Sequence, residues 1–371
     1  MQLLLDDRQL ALSDQGRALG DGLPPDGDPA LAEATLTAAR AAGLALLTVP
    51  EDRGGAGLSL FDSCLFLEGL ARSRPSAAST LAAHALLVGA EVAGSVDGDV
   101  ILAALQSHRT GAFAYTEPGG ARRPADLQTV ARTVGHEVRL SGEKAYVTNG
   151  GAWAMVLVVA RVEGEGAPAL FAVDGDAAGI EWRPLRGSVG LLGTRVADLV
   201  LHDVVALRRL DGGGGGSFEA ALLRDRTAIA AQAVGVAMEA LQETLRHIST
   251  RETMGRPMQR NGTVQAQVAD MAAALDGARL LWWQAACAID AGAAGRDLSA
   301  MAKLHAARAA RLVTDGCLQL LGGAGCFGEG PAARRVGAAR LASIRGGPDE
   351  LMRAVTAREF LDRLQRIGML T

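Results

Sequence analysis

The run Leu140-Ser141-Gly142-Glu143-Lys144-Ala145-Tyr146-Val147-Thr148-Asn149 decides how the chain is read, because its turn residues lead into a strand-like Ala145 to Thr148 between two helical regions. Around it, from Ala112 to Val205, apolar residues alternate or fall in short blocks: Val130 to Thr133, Glu137 to Leu140, Met155 to Ala160, Ala169 to Val173, Ile180 to Trp182 and Leu199 to Leu201. Turns such as Val134-Gly135-His136 separate the blocks. That pattern predicts a small antiparallel barrel or sandwich.

On both sides the spacing changes to three and four. From about Gln2 to Gln106 the residues read as helices, most clearly at Leu31 to Ala42 and Leu60 to Leu70, joined by the turn-rich Val49 to Leu58. Asp211-Gly212-Gly213-Gly214-Gly215-Gly216-Ser217 reads as a flexible loop. Beyond it Ile229 to Ile248, Val264 to Ala291, Leu298 to Leu321 and Pro348 to Leu364 read as long helices, apolar over much of their circumference as in a bundle. The expectation is an α+β chain: an N-terminal helical domain over 1–108, a central antiparallel β domain over 109–210, a Gly-rich loop over 211–217 and a C-terminal helical bundle over 218–371.

A chain of 371 residues exceeds the usual single core, so several packed subdomains are expected. Its net charge of -4 gives no reason to expect nucleic acid or an anionic membrane as partner. Cys64, Cys287, Cys317 and Cys326 lack metal-ligand spacing and read as reduced, mostly packed thiols. Asp6 and Asp7 stand where a signal peptide needs bases, and no apolar run approaches membrane-spanning length, so a soluble cytoplasmic protein is expected.

Asp225-Arg226 opens an otherwise apolar helical run, Thr227 to Gly235. A carboxylate beside a guanidinium on an apolar helix is a candidate site, although acids also gather at ordinary helix starts.

Several local patterns resemble the acyl-CoA dehydrogenase family, in that family's order over essentially the whole chain. Pro50-Glu51-Asp52-Arg53-Gly54-Gly55-Ala56-Gly57 is similar to its first loop, Tyr115-Thr116-Glu117-Pro118-Gly119 to its first flavin motif, and Leu140 to Asn149 to its second. The segment Thr250 to Pro257 and the turn Gln319 to Gly325 resemble stretches that reach a neighbouring subunit's cofactor. The resemblance implies a helical domain, a β domain and a four-helix bundle, assembled as a homotetramer or homodimer, or as a heteromer with a relative. It implies FAD as cofactor, held by Tyr115, Thr116, Tyr146, Thr148, Arg251, Gln319, Gly322 and Gly323. The activity implied is α,β-dehydrogenation of an acyl-CoA or acyl-carrier-protein thioester, with electrons passed to an electron-transfer flavoprotein or another acceptor.

The family's usual base is a Glu in the segment matched by Ile344 to Glu350, where this chain has Gly346. Other members carry a Glu one residue before an Arg, at the position of Asp225. The resemblance therefore makes Asp225 the candidate base, with Arg226 orienting it but also lowering its basicity, and Gly346 a residue against the substrate. Asp349 and Glu350 read as acids in the first turn of a helix. Arg122, where the family has a small polar run, is a candidate contact to a cofactor or CoA phosphate. The departures keep alternatives open: a flavin-dependent oxygenase, a silent FAD-binding subunit of a heteromeric dehydrogenase, or a binding protein without flavin.

Overall fold

The computed structural model describes residues 5–95, 98–120, 126–210, 218–253, 255–293, 295–327, 331–366 and 369. The predicted Gly-rich loop 211–217 and Arg122 lie outside these residues. Helices α1 (Asp7–Asp21), α2 (Leu31–Ala41), α3 (Leu60–Ser73), α4 (Pro75–Ala82), α5 (Ala90–Ala93) and α6 (Asp99–Ser107) come first, with a π-helical segment, Ala83–Gly89, between α4 and α5. Strands β1 (Thr110–Ala114), β2 (Val130–Val134), β3 (Glu137–Thr148), β4 (Ala154–Val162), β5 (Pro168–Asp174), β6 (Ile180–Pro184), β7 (Val196–Val205) and β8 (Arg208–Arg209) follow. The chain ends in α7 (Phe218–Thr250), a small ladder of β9 (Glu252–Thr253) and β10 (Arg256–Pro257), α8 (Gly262–Asp290), α9 (Arg296–Leu321), α10 (Gly323–Cys326), α11 (Pro331–Ala342) and α12 (Asp349–Arg366).

The sheet runs β6-β7-β3-β2-β4-β5-β8, with β1 added beside β4. Most pairings are antiparallel, but β4 takes both β1 and the start of β2 in parallel. Leu140-Ser141-Gly142 is not a turn. β3 continues through it, and its pairing with β7 shifts register there and again between Lys144 and Val147. Ser141 and Gly142 absorb an irregularity in a strand rather than reversing it, which a turn-like composition cannot distinguish from a true reversal.

Helices from the two ends of the chain share one core. Phe66, Leu67 and Leu70 of α3 pack with Ile229, Val234 and Ala237 of α7 and with Trp282 of α8 in a single cluster. The α3–α7 crossing is close enough that a Cβ at Gly235 would stand 2.2 Å from the Glu68 carbonyl oxygen, so only glycine fits. Glu68, only 4% exposed, ties the third helix in through Arg279 at 2.5 Å and Trp282 Nε1 at 3.1 Å. The helical stretch Pro75–Ala93 is long and apolar enough to cross a membrane, contrary to the sequence expectation, but 89% of its apolar window is buried within the protein. It is a core helix. Cys64 and Cys317 are buried free thiols, whereas Cys287 and Cys326 are exposed.

His84, in the π-helical segment, is completely buried and accepts the Gly111 amide at Nδ1, 2.9 Å away. Among the described residues its Nε2 has no hydrogen-bond partner. Burial, with a smaller contribution from Arg40, holds the imidazole down at about 3, against 6.5 in the unfolded chain. The unfolded state therefore binds a proton that the folded state refuses, and stability falls as pH drops from 6.5 toward 3. Denaturant titrations should show roughly 3 kcal/mol lost through this residue between pH 7 and pH 4. His84→Asn, which retains an acceptor for Gly111, should remove that part of the slope; an unchanged slope would contradict the assignment.

Candidate active site

Helix α7 begins at Phe218, so Asp225 lies about two turns inside it rather than at its head. The carboxylate is partly buried, and among the described residues it forms no hydrogen bond or direct ion pair. Burial raises its pKa above the ordinary aspartate value, outweighing the opposing fields of Arg345, Arg226 and Lys303. The expected loss of basicity to Arg226 is thus corrected: Arg226 is present, but desolvation is the larger effect.

Arg226 holds the loop opposite. Its Nε donates to the Gly346 carbonyl oxygen at 3.0 Å, and Lys303 Nζ, from α9, donates to the Gly347 carbonyl oxygen at 2.6 Å. These bonds fix the path from Arg345 to Pro348 against α7. Gly346 has φ +64, and a Cβ there would stand 2.7 Å from Ile229 Cδ1 and 3.2 Å from Asp225 Oδ2. The space that a side chain at 346 would enter is bounded by Ile229 and by the Asp225 carboxylate. Gly346→Ala should therefore cost about 1 kcal/mol from its left-handed backbone alone, and more if Ile229 cannot move. Thermal unfolding checks this; an unchanged melting temperature would mean that the loop relaxes freely.

Asp349 does begin a helix, as expected, but it is not solvated. It is 5% exposed and lies 3.6 Å from Lys303 Nζ and 3.8 Å from Arg311. Burial pushes the Lys303 ammonium down to about 8, with Asp349 opposing. Residue type and order gave no signal for Lys303 or Arg345, since their importance comes from α9 and the 345–348 loop meeting α7. Arg224, directly before Asp225, pairs with the buried Glu91 of α5 and donates through Nε to the Leu86 carbonyl oxygen of the π-helical segment at 3.2 Å, anchoring α7 to both.

The first flavin-like motif meets this site through Tyr115, which stacks on Phe218 of α7 with ring centroids 5.8 Å apart and lies within the electrostatic reach of Arg226. Glu117, two residues on, is buried and tied to β3. Glu117 Oε1 accepts Lys144 Nζ at 2.9 Å, and its two oxygens accept the Gln128 and Thr129 amides at 2.7 and 2.9 Å. Lys144 is fully buried, and burial brings its ammonium down to about 8 against the pull of Glu117. Burial alone would raise Glu117, but the amides and Lys144 outweigh it and hold the carboxyl below its ordinary value. The Thr116 carbonyl accepts the Ala145 amide at 2.8 Å, joining the two flavin-like motifs edge to edge.

These contacts support a test of FAD against the residues present. Among the described residues the hydroxyls of Thr116 and Thr148 make no hydrogen bond, and Tyr146, at φ +57, leaves its ring 70% exposed. Uncommitted donors beside an uncovered aromatic suit a flat, polar-edged ring. The donor set fits FAD. Tyr115 stacks on α7 and Thr116 is bonded to β3, the strand that carries Tyr146 and Thr148, while Asp225, Arg226 and Gly346 meet at α7. Arg251, Gln319, Gly322 and Gly323 lie elsewhere. Asp225 feels Lys303 and Cys317 touches Thr244, so α7 and α9 run side by side in the same direction. Arg251 and the turn after α9 therefore lie together at the far end of the bundle, about 40 Å along α7 from Asp225.

Comparison with known proteins places this arrangement among relatives. Residues 26–95, 112–204 and 212–361 match the N-terminal, middle and C-terminal domains of acyl-CoA dehydrogenase, respectively. The chain is 33% identical over 256 residues to cyclohexane-1-carbonyl-CoA dehydrogenase of Geobacter metallireducens, covering 67% of each. It is 31% identical over 340 residues to the mitochondrial short-chain specific acyl-CoA dehydrogenase of Homo sapiens, covering 86% of this chain and 80% of that one. The structure of butyryl-CoA dehydrogenase from Megasphaera elsdenii superposes with a TM-score of 0.85 at 26% identity, covering 96% of this chain and 99% of that one.

Proposed function

The chain belongs to the acyl-CoA dehydrogenase family, whose members are FAD-dependent oxidoreductases acting on CH–CH bonds, and from that premise we propose that it desaturates an acyl thioester with Asp225 as its base. The carrying observation is that Asp225 Oδ2 stands 3.2 Å from the place a side chain at 346 would take. One carboxylate thus serves a site in which two backbone positions converge, and the helix supplies it. A base on a helix is held more rigidly than one on a loop, which favours alignment with the proton it takes.

Asp225 takes the α-proton, the thioester carbonyl accepting the electron pair, and the double bond forms as hydride leaves Cβ. Bound FAD supplies the hydride acceptor. Arg226 does not touch the reacting atoms; through Gly346 it positions the loop that closes the site. Burial raises the Asp225 carboxyl above its ordinary value, which makes it a better proton acceptor than an exposed aspartate. Thr116 and Thr148 would offer hydroxyl donors to FAD, with the exposed Tyr146 beside them as an aromatic contact. Arg251, Gln319, Gly322 and Gly323, remote from their own chain's Asp225, would serve the FAD of a neighbouring subunit in a homodimer or homotetramer. The thioester carrier is CoA, as in the relatives' names, and the electrons go to an electron-transfer flavoprotein. The predicted location is the cytoplasm.

Anaerobic mixing of the FAD-loaded protein with a panel of acyl-CoA thioesters tests this reading. Loss of flavin absorbance with at least one thioester is expected; a flavin that stays oxidised with all of them would refute dehydrogenation.

A further inference from the structure

Resting on the desaturase reading, we propose that Arg345 binds a second carboxylate, at the far end of the acyl group, and that the substrates are therefore thioesters of short diacids. The three cations around Asp225 are not equivalent. Arg226 is committed to the Gly346 carbonyl, and Lys303 to the Gly347 carbonyl and Asp349. Arg345 is only partly exposed, yet among the described residues its guanidinium donates no hydrogen bond and forms no ion pair. Five donors in a planar fork are left without an acceptor, in a place where an unpaired charge is costly to hold.

The charges also fail to balance. Arg226, Lys303 and Arg345 face Asp225 and Asp349, and Arg311 adds a fourth cation beside Asp349. Asp225 cannot neutralise Arg345 while acting as base, because it must take up a proton and lose its charge in each turnover. An incoming carboxylate supplies the missing anion, and a bidentate guanidinium suits its geometry. Arg345 lies within the electrostatic reach of Asp225, which must itself reach the acyl Cα. The second carboxylate is therefore only a few carbons from the reacting carbon, which selects short diacid chains over long ones. A phosphate of the CoA moiety has the same charge and similar geometry; matched thioesters that share CoA separate the two sources.

The test is a pair of dissociation constants, for glutaryl-CoA and pentanoyl-CoA, measured by isothermal titration on the FAD-loaded protein and on its Arg345→Gln and Arg345→Lys variants. Glutaryl-CoA should bind the unaltered protein at least tenfold tighter. Arg345→Gln should bring the two within about threefold of each other, and Arg345→Lys should restore part of the preference. Equal binding by the unaltered protein, or a preference that survives in Arg345→Gln, would overturn the proposal; a fall common to both thioesters would place the anion on CoA and overturn it equally. Melting temperature and flavin content identify a variant that has failed to fold, in which case Arg345→Lys alone decides, by whether it weakens the preference. The readout is binding, so it stands apart from flavin bleaching: bleaching by no thioester would refute desaturation, whereas bleaching without a diacid preference would refute only the role of Arg345.

Discussion

Asp225→Asn should lower the turnover of the FAD-loaded protein about a thousandfold while leaving its flavin content intact. A positioned general base contributes on the order of a hundred- to ten-thousandfold, and among the described residues no other carboxylate borders this place, because Gly346 carries no side chain. The amide keeps the size of the carboxylate and loses only the ability to accept the proton. Substrate affinity should accordingly change far less than the chemical rate. In the unaltered protein the rate should fall on the acid side as Asp225 protonates, and burial places that limb at higher pH than an ordinary aspartate would. Steady-state kinetics across pH check both statements; an Asp225→Asn variant of ordinary rate would assign the proton to another group.

Lys144→Met should be the most damaging substitution for stability, by about 3–5 kcal/mol, because it leaves the Glu117 carboxylate buried with two amides but no counter-charge. It should also weaken FAD retention, since Glu117 directly follows Thr116 and holds the first flavin-like loop on β3. Glu117→Gln combined with Lys144→Met, which removes both charges, should recover part of the stability. Urea unfolding and the ratio of flavin to protein absorbance measure the two effects. A loss below about 1 kcal/mol for Lys144→Met would mean that water replaces the ammonium and that the pair does not pin the loop.

Much of the fold was legible because periodicity survives alanine-rich composition: Leu31 to Ala42 and Val264 to Ala291 match α2 and α8 nearly end to end. Strand blocks such as Met155 to Ala160 were equally visible, since β4 is buried on both faces and reads as a continuous apolar run. The register irregularity in β3 was hidden, because a Ser-Gly pair serves a turn and a bulge alike. At the candidate site, Asp225, Arg226 and Gly346 came from the family resemblance, and the structure adds what order along the chain cannot carry. The contact between Asp225 and the space beside Gly346 joins positions 121 residues apart, and the cations Lys303 and Arg345 come from a third element and from the loop itself. The Glu117–Lys144 pair lay inside both quoted motifs, yet neither motif reveals that the other supplies the partner.

The most direct test of the central claim is exchange of the acyl-CoA α-proton with solvent deuterium, followed by mass spectrometry on the anaerobic FAD-loaded protein. The unaltered protein should exchange the α-position of a thioester that bleaches its flavin, and Asp225→Asn should exchange it about a thousandfold more slowly at equal occupancy. Exchange at the unaltered rate in Asp225→Asn would contradict the assignment of Asp225 as the base.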